Sequence, residues 1–224
     1  MARSVLVVAP HPDDEVLGCG GVILKHVDNG DDVHWCIATQ MSKMIGYSDE
    51  CIIKRNEEIR EVYNAFGFKT LTQFKYAATT LDAVAKSKFV MAFKEVFEKV
   101  KPHTVYLPHP ADIHSDHAAT FEAAIACSKW FRFESVKRIL CYEVLSETDF
   151  QISPLQSKFQ PNVFIDVSNF FEKKMQICSI YESEMGEFPF PRSMVAIEAL
   201  AKVRGAACGK KYAEAFQVLK EIID

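Results

Sequence analysis

The chain has 224 residues, of which 49% are hydrophobic and 25% charged, so it is long enough for one good-sized core and we expect a single domain over residues 1–224. The formal charge of −4 and the pI near 6.0 give no basic footprint for nucleic acid. No apolar stretch reaches the length of a membrane span, no leader precedes the first strand, and seven scattered cysteines form no C-x-x-C pair, so we expect a cytoplasmic protein with buried, unpaired thiols.

Short apolar runs alternate with amphipathic stretches along the chain, which predicts an α/β fold: a Rossmann-like, doubly wound, mostly parallel sheet with helices on both faces. Strands are predicted at Val5–Ala9, Val33–Thr39, Leu71–Tyr76, Thr104–Leu107, Ile139–Leu145 and Val163–Val167. Helices are predicted at about Glu15–Val27, Cys51–Phe66, Lys86–Val100, His117–Trp130, Phe170–Glu184 and Ser193–Cys208. The remaining segments are two polar loops and a closing stretch without an assigned type: Gln40–Asp49, Ser146–Pro161 and Tyr212–Ile223.

Ionisable side chains follow the first predicted strand directly, in the segment Pro10–Glu15. Open α/β sheets place their ligands at the carboxyl ends of parallel strands, so His11, Asp13 and Asp14 are predicted at the mouth of a crevice. The glycines that come next let the first helix pack closely, but they do not form G-x-G-x-x-G. The dinucleotide fingerprint is therefore absent from this turn.

A second polar stretch, Pro108–His117, follows the fourth predicted strand. In a doubly wound sheet ordered 3-2-1-4-5, strands 1 and 4 are neighbours where the winding reverses, so the loops after them face each other. Either stretch alone is typical of a polar loop or a helix cap. Their conjunction at adjacent strands predicts a metal site.

Zinc in a catalytic site usually takes three protein ligands from His and Asp or Glu and keeps one position for water. Two residues of the first stretch and one of the second offer that set: His11, Asp14 and His117. Asp13 remains as a carboxylate able to accept a proton from the metal-bound water, whose pKa falls to roughly 7. The same ligands also accept iron, cobalt or manganese, so the sequence does not fix the metal.

His114 lies three residues before His117, and the two imidazoles share a face if the helix has begun there. One can bind metal while the other points at the substrate, with Asp116 or Asp112 as its hydrogen-bond partner. His109 is a weaker candidate for a supporting contact.

The pair of motifs Pro10–Glu15 and His114–His117 resembles the two defining motifs of the PIG-L/LmbE-like family, zinc-dependent N-deacetylases acting on N-acetylglucosaminyl groups. The resemblance covers nearly the whole chain. Its further matches are Arg55–Glu58, Ala65–Gly67, Phe159–Asn162, Asp166, Lys174, Tyr181, Pro191–Ser193, Arg204–Gly205 and Tyr212–Phe216.

The resemblance implies roles for individual residues in the two motifs. Asp13 is implied as the general base, and His114 as the group that stabilises the oxyanion or protonates the leaving amine, with Asp116 as its partner. The zinc ligands implied are His11, Asp14 and His117.

Substrate contacts are implied for two arginines. Arg55 matches a family position that hydrogen-bonds a sugar hydroxyl, and Arg192 is a weaker candidate, either within its own chain or across a subunit boundary. The resemblance suggests a homo-oligomer, but the sequence leaves the oligomeric state open. The chain departs from the family at Thr39–Ser42, where many members carry a Thr-x-Gly turn, so the loop shape and the accepted sugar are open.

The residues and the resemblance together predict a metal-dependent hydrolase that removes the N-acetyl group from an N-acetylglucosaminyl-type amino sugar or its conjugate. Two alternatives remain at this point. One is a hydrolase of another amide or of a phosphoester, with Asp112 and Asp116 as additional carboxylates. The other is a non-catalytic sugar-binding module on the same fold.

Overall fold

The computed structural model describes residues 2–153 and 157–223, and within them it confirms the predicted doubly wound sheet. Seven strands lie in the spatial order β3-β2-β1-β4-β5-β7-β6. The pairs among β1 to β5 are parallel, whereas β7 is antiparallel to both of its neighbours. The strands are β1 (Ser4–Ala9), β2 (Asp32–Gln40), β3 (Thr70–Ala77), β4 (Thr104–Pro108), β5 (Arg138–Tyr142), β6 (Val163–Asp166) and β7 (Ala213–Glu221).

Helices cover both faces of the sheet, as predicted. On one face side chains of α1, α2, α5 and α6 form one apolar cluster with Val5 and Val7 of β1, and on the other side chains of α3 and α4 form a second cluster with Leu6 and Val8. None of the helices in the described part of the chain is long and apolar enough to cross a membrane. The helices are α1 (Asp14–Asp28), α2 (Asp49–Phe66), α3 (Lys86–Val100), α4 (Ser115–Ile125), α5 (Phe171–Cys178) and α6 (Met194–Cys208).

Two helices are shorter than the sequence predicts. The helix expected to reach Trp130 ends at Ile125 and is followed by a single 3-10 turn, after which the chain folds back and packs Phe133 against Phe97. The helix expected over Phe170–Glu184 ends at Cys178. Residues 179–184 form turns instead, which bring Tyr181 to Glu15 at the start of α1 and Ser183 to Arg55 of α2. In both places long-range contacts override the local helical pattern.

The closing stretch Tyr212–Ile223 contains β7, which lies between β5 and β6. Its register pairs Phe216 with Tyr142 of β5 on one side and with Val163 of β6 on the other. The last strand therefore extends the sheet beyond the predicted order 3-2-1-4-5, and it leaves the four-residue β6 at the edge.

A buried ion pair meets the middle of α1. Glu214 of β7 accepts the backbone N–H groups of Gly21 and Val22 at 2.8 Å each, and Lys174 of α5 donates to the carbonyl of Leu17 at 2.9 Å and to Glu214 at 2.7 Å. In a regular helix the Leu17 carbonyl accepts from the Gly21 N–H. Here each of these groups meets one member of the pair, which joins α1 to α5 and β7.

The glycines of α1 allow close packing at this point, as predicted. A Cβ added at Gly18 would collide with the ring of Tyr142, and one added at Gly21 would lie 2.6 Å from the side chain of Val167. Both separations are below van der Waals contact, so α1 lies against its neighbours only because these positions carry no side chain.

Glu214→Gln is expected to lower the free energy of unfolding by about 3–5 kcal/mol, because it leaves a buried ammonium group without a counter-charge. Burial alone would lower the pKa of Lys174, but Glu214 raises it above its ordinary value, so the lysine is charged in the folded protein. Urea unfolding followed by circular dichroism measures the effect. The double variant Lys174→Met/Glu214→Leu is the control, expected to be closer to wild type than the single variant. A Glu214→Gln protein as stable as wild type would contradict this account.

Candidate metal centre

The loops after β1 and β4 meet at the reversal point of the sheet, as predicted, because these two strands are hydrogen-bonded neighbours. Three imidazoles cluster there. The ring centroids of His11 and His114 are 4.5 Å apart, those of His11 and His117 are 5.4 Å apart, and those of His114 and His117 are 5.7 Å apart.

His11, Asp14 and His117 place their ligand atoms around one point. Oδ2 of Asp14 lies 3.5 Å from Nδ1 of His11 and 3.4 Å from Nε2 of His117, and one ligand atom from each residue falls within 4.8 Å of the others. Nε2 of His117 is buried and has no hydrogen-bond partner in the described part of the chain. A buried ring nitrogen that faces a carboxylate and a second imidazole fits a divalent metal ion of the zinc type.

Two further carboxylates hold the imidazoles from outside this set. Asp112 Oδ2 lies 2.8 Å from Nδ1 of His117, and Asp116 Oδ2 lies 3.0 Å from Nε2 of His11. A carboxylate on one ring nitrogen fixes the tautomer and leaves the lone pair of the other nitrogen for a metal. Asp112 and Asp116 therefore aim His117 and His11 at the same point.

A second combination, His11 with His114 and Asp116, also lies within 4.8 Å. In this combination the carboxylate oxygens of Asp116, which would have to bind the metal, already accept hydrogen bonds. The Asp116 carboxylate already accepts the backbone N–H groups of Thr79 at 2.6 Å and Leu81 at 3.0 Å, in addition to its contact with His11. The set with Asp14 and His117 is the better metal site.

The charges of the centre compensate one another. Burial opposes the charge on Asp14, but the imidazoles of His117 and His11 hold the pKa of this carboxyl well below its ordinary value. Burial lowers the pKa of His11, and Asp116 and Asp14 more than offset it and raise this pKa to about 9. Protons and a metal ion therefore compete for the same nitrogen atoms.

Asp13 sits beside the ligand set in a strained conformation, with φ of 132° at the N-terminal cap of α1. Positive φ is costly for a residue with a side chain, and such strain concentrates at functional sites. Its N–H donates to Glu15 at 3.1 Å, and Glu15 accepts from the Tyr181 hydroxyl at 2.8 Å. Burial raises the pKa of Asp13, and the nearby Asp14 and Glu184 raise it further.

His114 caps the N-terminus of α4, where its Nδ1 accepts the backbone N–H of Asp116 at 3.1 Å. Asp116 lies beside His114 as predicted, but the contact is made by its backbone N–H, because its carboxylate faces His11. Burial, with the neighbouring His11, lowers the pKa of His114 to about 4. His114 is thus a neutral imidazole that carries its proton on Nε2.

A cavity of about 180 Å³ opens in front of these groups. The loop after β2, predicted as Gln40–Asp49, contributes part of its wall, and so do residues from the chain segments after β5 and α5. Besides the residues of the metal centre, the wall includes Gln40, Met41, Tyr47, Arg55, Glu147, Glu184 and Arg192.

Arg55 is 3% exposed and lies in the wall of the cavity, but most of its contacts are internal. It donates to the carbonyl of Pro12 and to the hydroxyl of Ser183, both at 2.9 Å, and pairs with Glu184. Arg55 therefore braces the loop that carries Asp13. Its predicted contact with a sugar hydroxyl stays a prediction.

Arg192 reaches the cavity of its own chain. It donates to the backbone carbonyl of Glu184 at 3.0 Å and to the Ser146 hydroxyl at 3.1 Å, and its guanidinium lies 3.2 Å from the Glu184 carboxylate. Glu184 thus links the two arginines predicted to bind substrate.

Sequence reasoning did not single out Glu147 and Glu184. Glu184 comes three residues after the motif-matched Tyr181, and Glu147 comes shortly after β5, at the sheet edge where the predicted site lies. The sequence signal that could have identified Glu147 as a site residue is its position just after a strand of the sheet. Of the predicted rim loop Ser146–Pro161, residues 154–156 lie outside the described residues.

Comparisons with known proteins give the family of the chain. Residues 6–128 match the PIG-L family, described as GlcNAc-PI de-N-acetylase. The diacetylchitobiose deacetylase of Thermococcus kodakarensis is 25% identical over 98% of this chain and 84% of its own.

Two solved structures share the fold. The N,N'-diacetylchitobiose deacetylase of Pyrococcus horikoshii has a TM-score of 0.75 at 23% identity, covering 98% of this chain and 84% of that one. The 4-carboxy-2-hydroxymuconate hydratase of Pseudomonas putida has a TM-score of 0.74 at 17% identity, covering 99% and 98%. Because the family match spans more than half of the sequence and contains the whole candidate metal centre, the chain belongs to the PIG-L family.

Proposed function

We propose that this protein is a metal-dependent hydrolase that removes the N-acetyl group from an N-acetylglucosaminyl-type amino sugar or its conjugate. The observation that carries the proposal is the buried Nε2 of His117, which lies beside Asp14 and has no hydrogen-bond partner among the described residues. His11 completes this ligand set, and Asp13 and His114 lie outside it. The names of the family and of the Thermococcus relative both denote deacetylation, which supports the reaction class.

The proposed metal ligands are His11, Asp14 and His117. Two histidines and one carboxylate suit Zn²⁺, and they also accept Fe²⁺, Co²⁺ or Mn²⁺. When bound, such an ion polarises an amide carbonyl and lowers the pKa of water.

Asp13 is the proposed base. Hydrolysis forms a bond between the water oxygen and the carbonyl carbon and breaks the C–N bond, so one proton must leave the water and one must reach the amine. Burial raises the pKa of Asp13, with help from Asp14, which suits a carboxylate that takes up the first proton and passes it on.

His114 is the proposed partner of the developing oxyanion. Because its Nδ1 accepts the Asp116 N–H, its Nε2–H is free to donate a hydrogen bond without bringing a positive charge. Asp116 acts through its peptide on His114 and through its carboxylate on His11. Arg55 and Arg192, in the cavity wall, are the proposed contacts for the sugar.

The geometry favours an amide substrate over a phosphoester. A two-metal phosphoesterase needs carboxylates that are free to bridge ions, but those of Asp112 and Asp116 are engaged by His117 and His11. A binding module would have no use for the strain stored at Asp13.

Acetate release tests the reaction. Metal-stripped protein is expected to release acetate from members of a panel of N-acetylglucosaminyl compounds only after Zn²⁺ is added. Asp13→Asn is expected to lower kcat by about 10²–10⁴-fold because it removes the base, while zinc still binds. The control is Asp82→Asn, which changes an exposed acid. Phosphate release from phosphoesters, or full activity of Asp13→Asn, would overturn the proposal.

Asp112→Asn is expected to weaken zinc binding by about 10–100-fold, because the amide holds the His117 tautomer less firmly than the carboxylate does. Competition with a chromophoric chelator measures the affinity, again with Asp82→Asn as the matched control. Equal affinity in both variants would remove Asp112 from the metal centre.

Tyr181→Phe tests how Asp13 is positioned. Loss of the hydroxyl frees Glu15, which receives the Asp13 N–H, so kcat is expected to fall by about 10-fold or more with little change in KM or zinc affinity. Tyr63→Phe removes a hydroxyl from an exposed hydrogen bond and serves as the control. An effect on zinc affinity alone would show that Tyr181 supports the ligands rather than the base.

A further inference from the structure

Glu147 is a carboxylate in the cavity wall without a partner for one of its oxygens. Its Oε2 is buried, and no residue in the described part of the chain donates a hydrogen bond to it. The arginines of the same cavity do not neutralise it, since Arg55 and Arg192 both pair with Glu184. Burial raises the pKa of Glu147, and His117 lowers it in part.

The backbone on both sides of Glu147 is held firmly. Ser146 has a φ of 73°, and its hydroxyl accepts from Arg192 at 3.1 Å. On the other side, the Thr148 hydroxyl donates to Asp112 at 2.7 Å and accepts the N–H of Val144 at 2.8 Å.

This anchoring keeps Glu147 in the cavity wall. Asp112 is the carboxylate that holds His117, so the segment around Glu147 is tied directly to the metal centre. A strained residue at position 146 and hydrogen bonds at 146 and 148 fix the backbone that carries the Glu147 side chain at the cavity.

A buried acceptor without a donor destabilises the free protein, because it loses its hydrogen bonds to water without a replacement. Such a group is retained where a ligand supplies the missing donor. In the cavity of a sugar deacetylase the donors available on the substrate are hydroxyl groups, since the acetylated nitrogen belongs to the reacting amide.

We propose that Glu147 is a specificity-determining residue that accepts a hydrogen bond from a hydroxyl of the amino sugar. The inference rests on the proposed function. It names the substrate as a neutral sugar with a free hydroxyl at the position facing Glu147, and it disfavours a carboxylated or phosphorylated group there because of like-charge repulsion.

Glu147→Leu is expected to lower kcat/KM by about 10–100-fold, because the substrate hydroxyl loses its acceptor. The same variant is expected to raise the Tm by about 2–4 °C, because it removes a buried carboxylate oxygen that has no hydrogen-bond donor in the described part of the chain. Glu147→Gln keeps one acceptor oxygen, so its kcat/KM and its Tm should lie between those of the wild type and Glu147→Leu. If Glu147 instead stabilised the fold, Glu147→Leu would lower the Tm, and this result would contradict the proposal.

Monodeoxy analogues of the best substrate identify the hydroxyl. In the wild type, removing the contacted hydroxyl should reduce kcat/KM by about the same factor as Glu147→Leu, and the variant should lose nothing further with that analogue. Asp149→Asn, an exposed acid two residues away, is the matched control and should behave as wild type. Equal additional losses with every analogue would overturn the inference.

Binding without turnover separates this inference from the proposed function. Titration calorimetry with N-acetylglucosamine and the zinc-loaded Asp13→Asn protein should show weaker affinity when Glu147→Leu is added. Unchanged affinity overturns the role of Glu147. Weaker affinity, with no acetate released by the wild type from any compound, supports Glu147 and overturns only the proposed reaction.

Discussion

The parallel pairing of β1 with β4 is the constraint on which the whole site depends. It sets the loop that carries His11 and Asp14 opposite the loop and helix that carry His117. β1 is paired on both edges, with β2 from Ser4 to Ala9 and with β4 from Val5 to Val7, so two ladders of backbone hydrogen bonds hold its position in the sheet. The backbone pairing of a buried apolar strand thereby sets the geometry of the polar centre at its end.

The imidazoles of the candidate metal centre are positioned by hydrogen bonds to residues outside the ligand set. Asp112 and Asp116 each fix one imidazole, and they are fixed in turn by the Thr148 hydroxyl and by backbone N–H groups after β3. Rigid supports of this kind hold ligand atoms in place before a metal arrives, and metal affinity and the orientation of the catalytic groups depend on them. In the proposed centre, the carboxylates outside the ligand set therefore orient the imidazoles within it.

Much of the fold, and the grouping of His11, Asp14 and His117 around one point, followed from local patterns in the sequence. Apolar runs with polar ends predicted the strands and the meeting of the two loops, because strand ends at a reversal point are neighbours in every sheet of this order. The contacts of Asp116 did not follow, since choosing between His11 and His114 depends on a few ångströms of loop geometry. The turns at residues 179–184 and the position of β7 were likewise missed, because they are determined by partners more than a hundred residues away.

The contact of Glu214 with α1 spans 193 positions of the chain. During synthesis α1 is therefore made well before the strand that fastens it. Until β7 has been made, α1 lacks its carboxylate anchor and the sheet lacks one strand, so the residues proposed as metal ligands belong to an incomplete scaffold. The support for the proposed centre is complete only when β7 has joined the sheet.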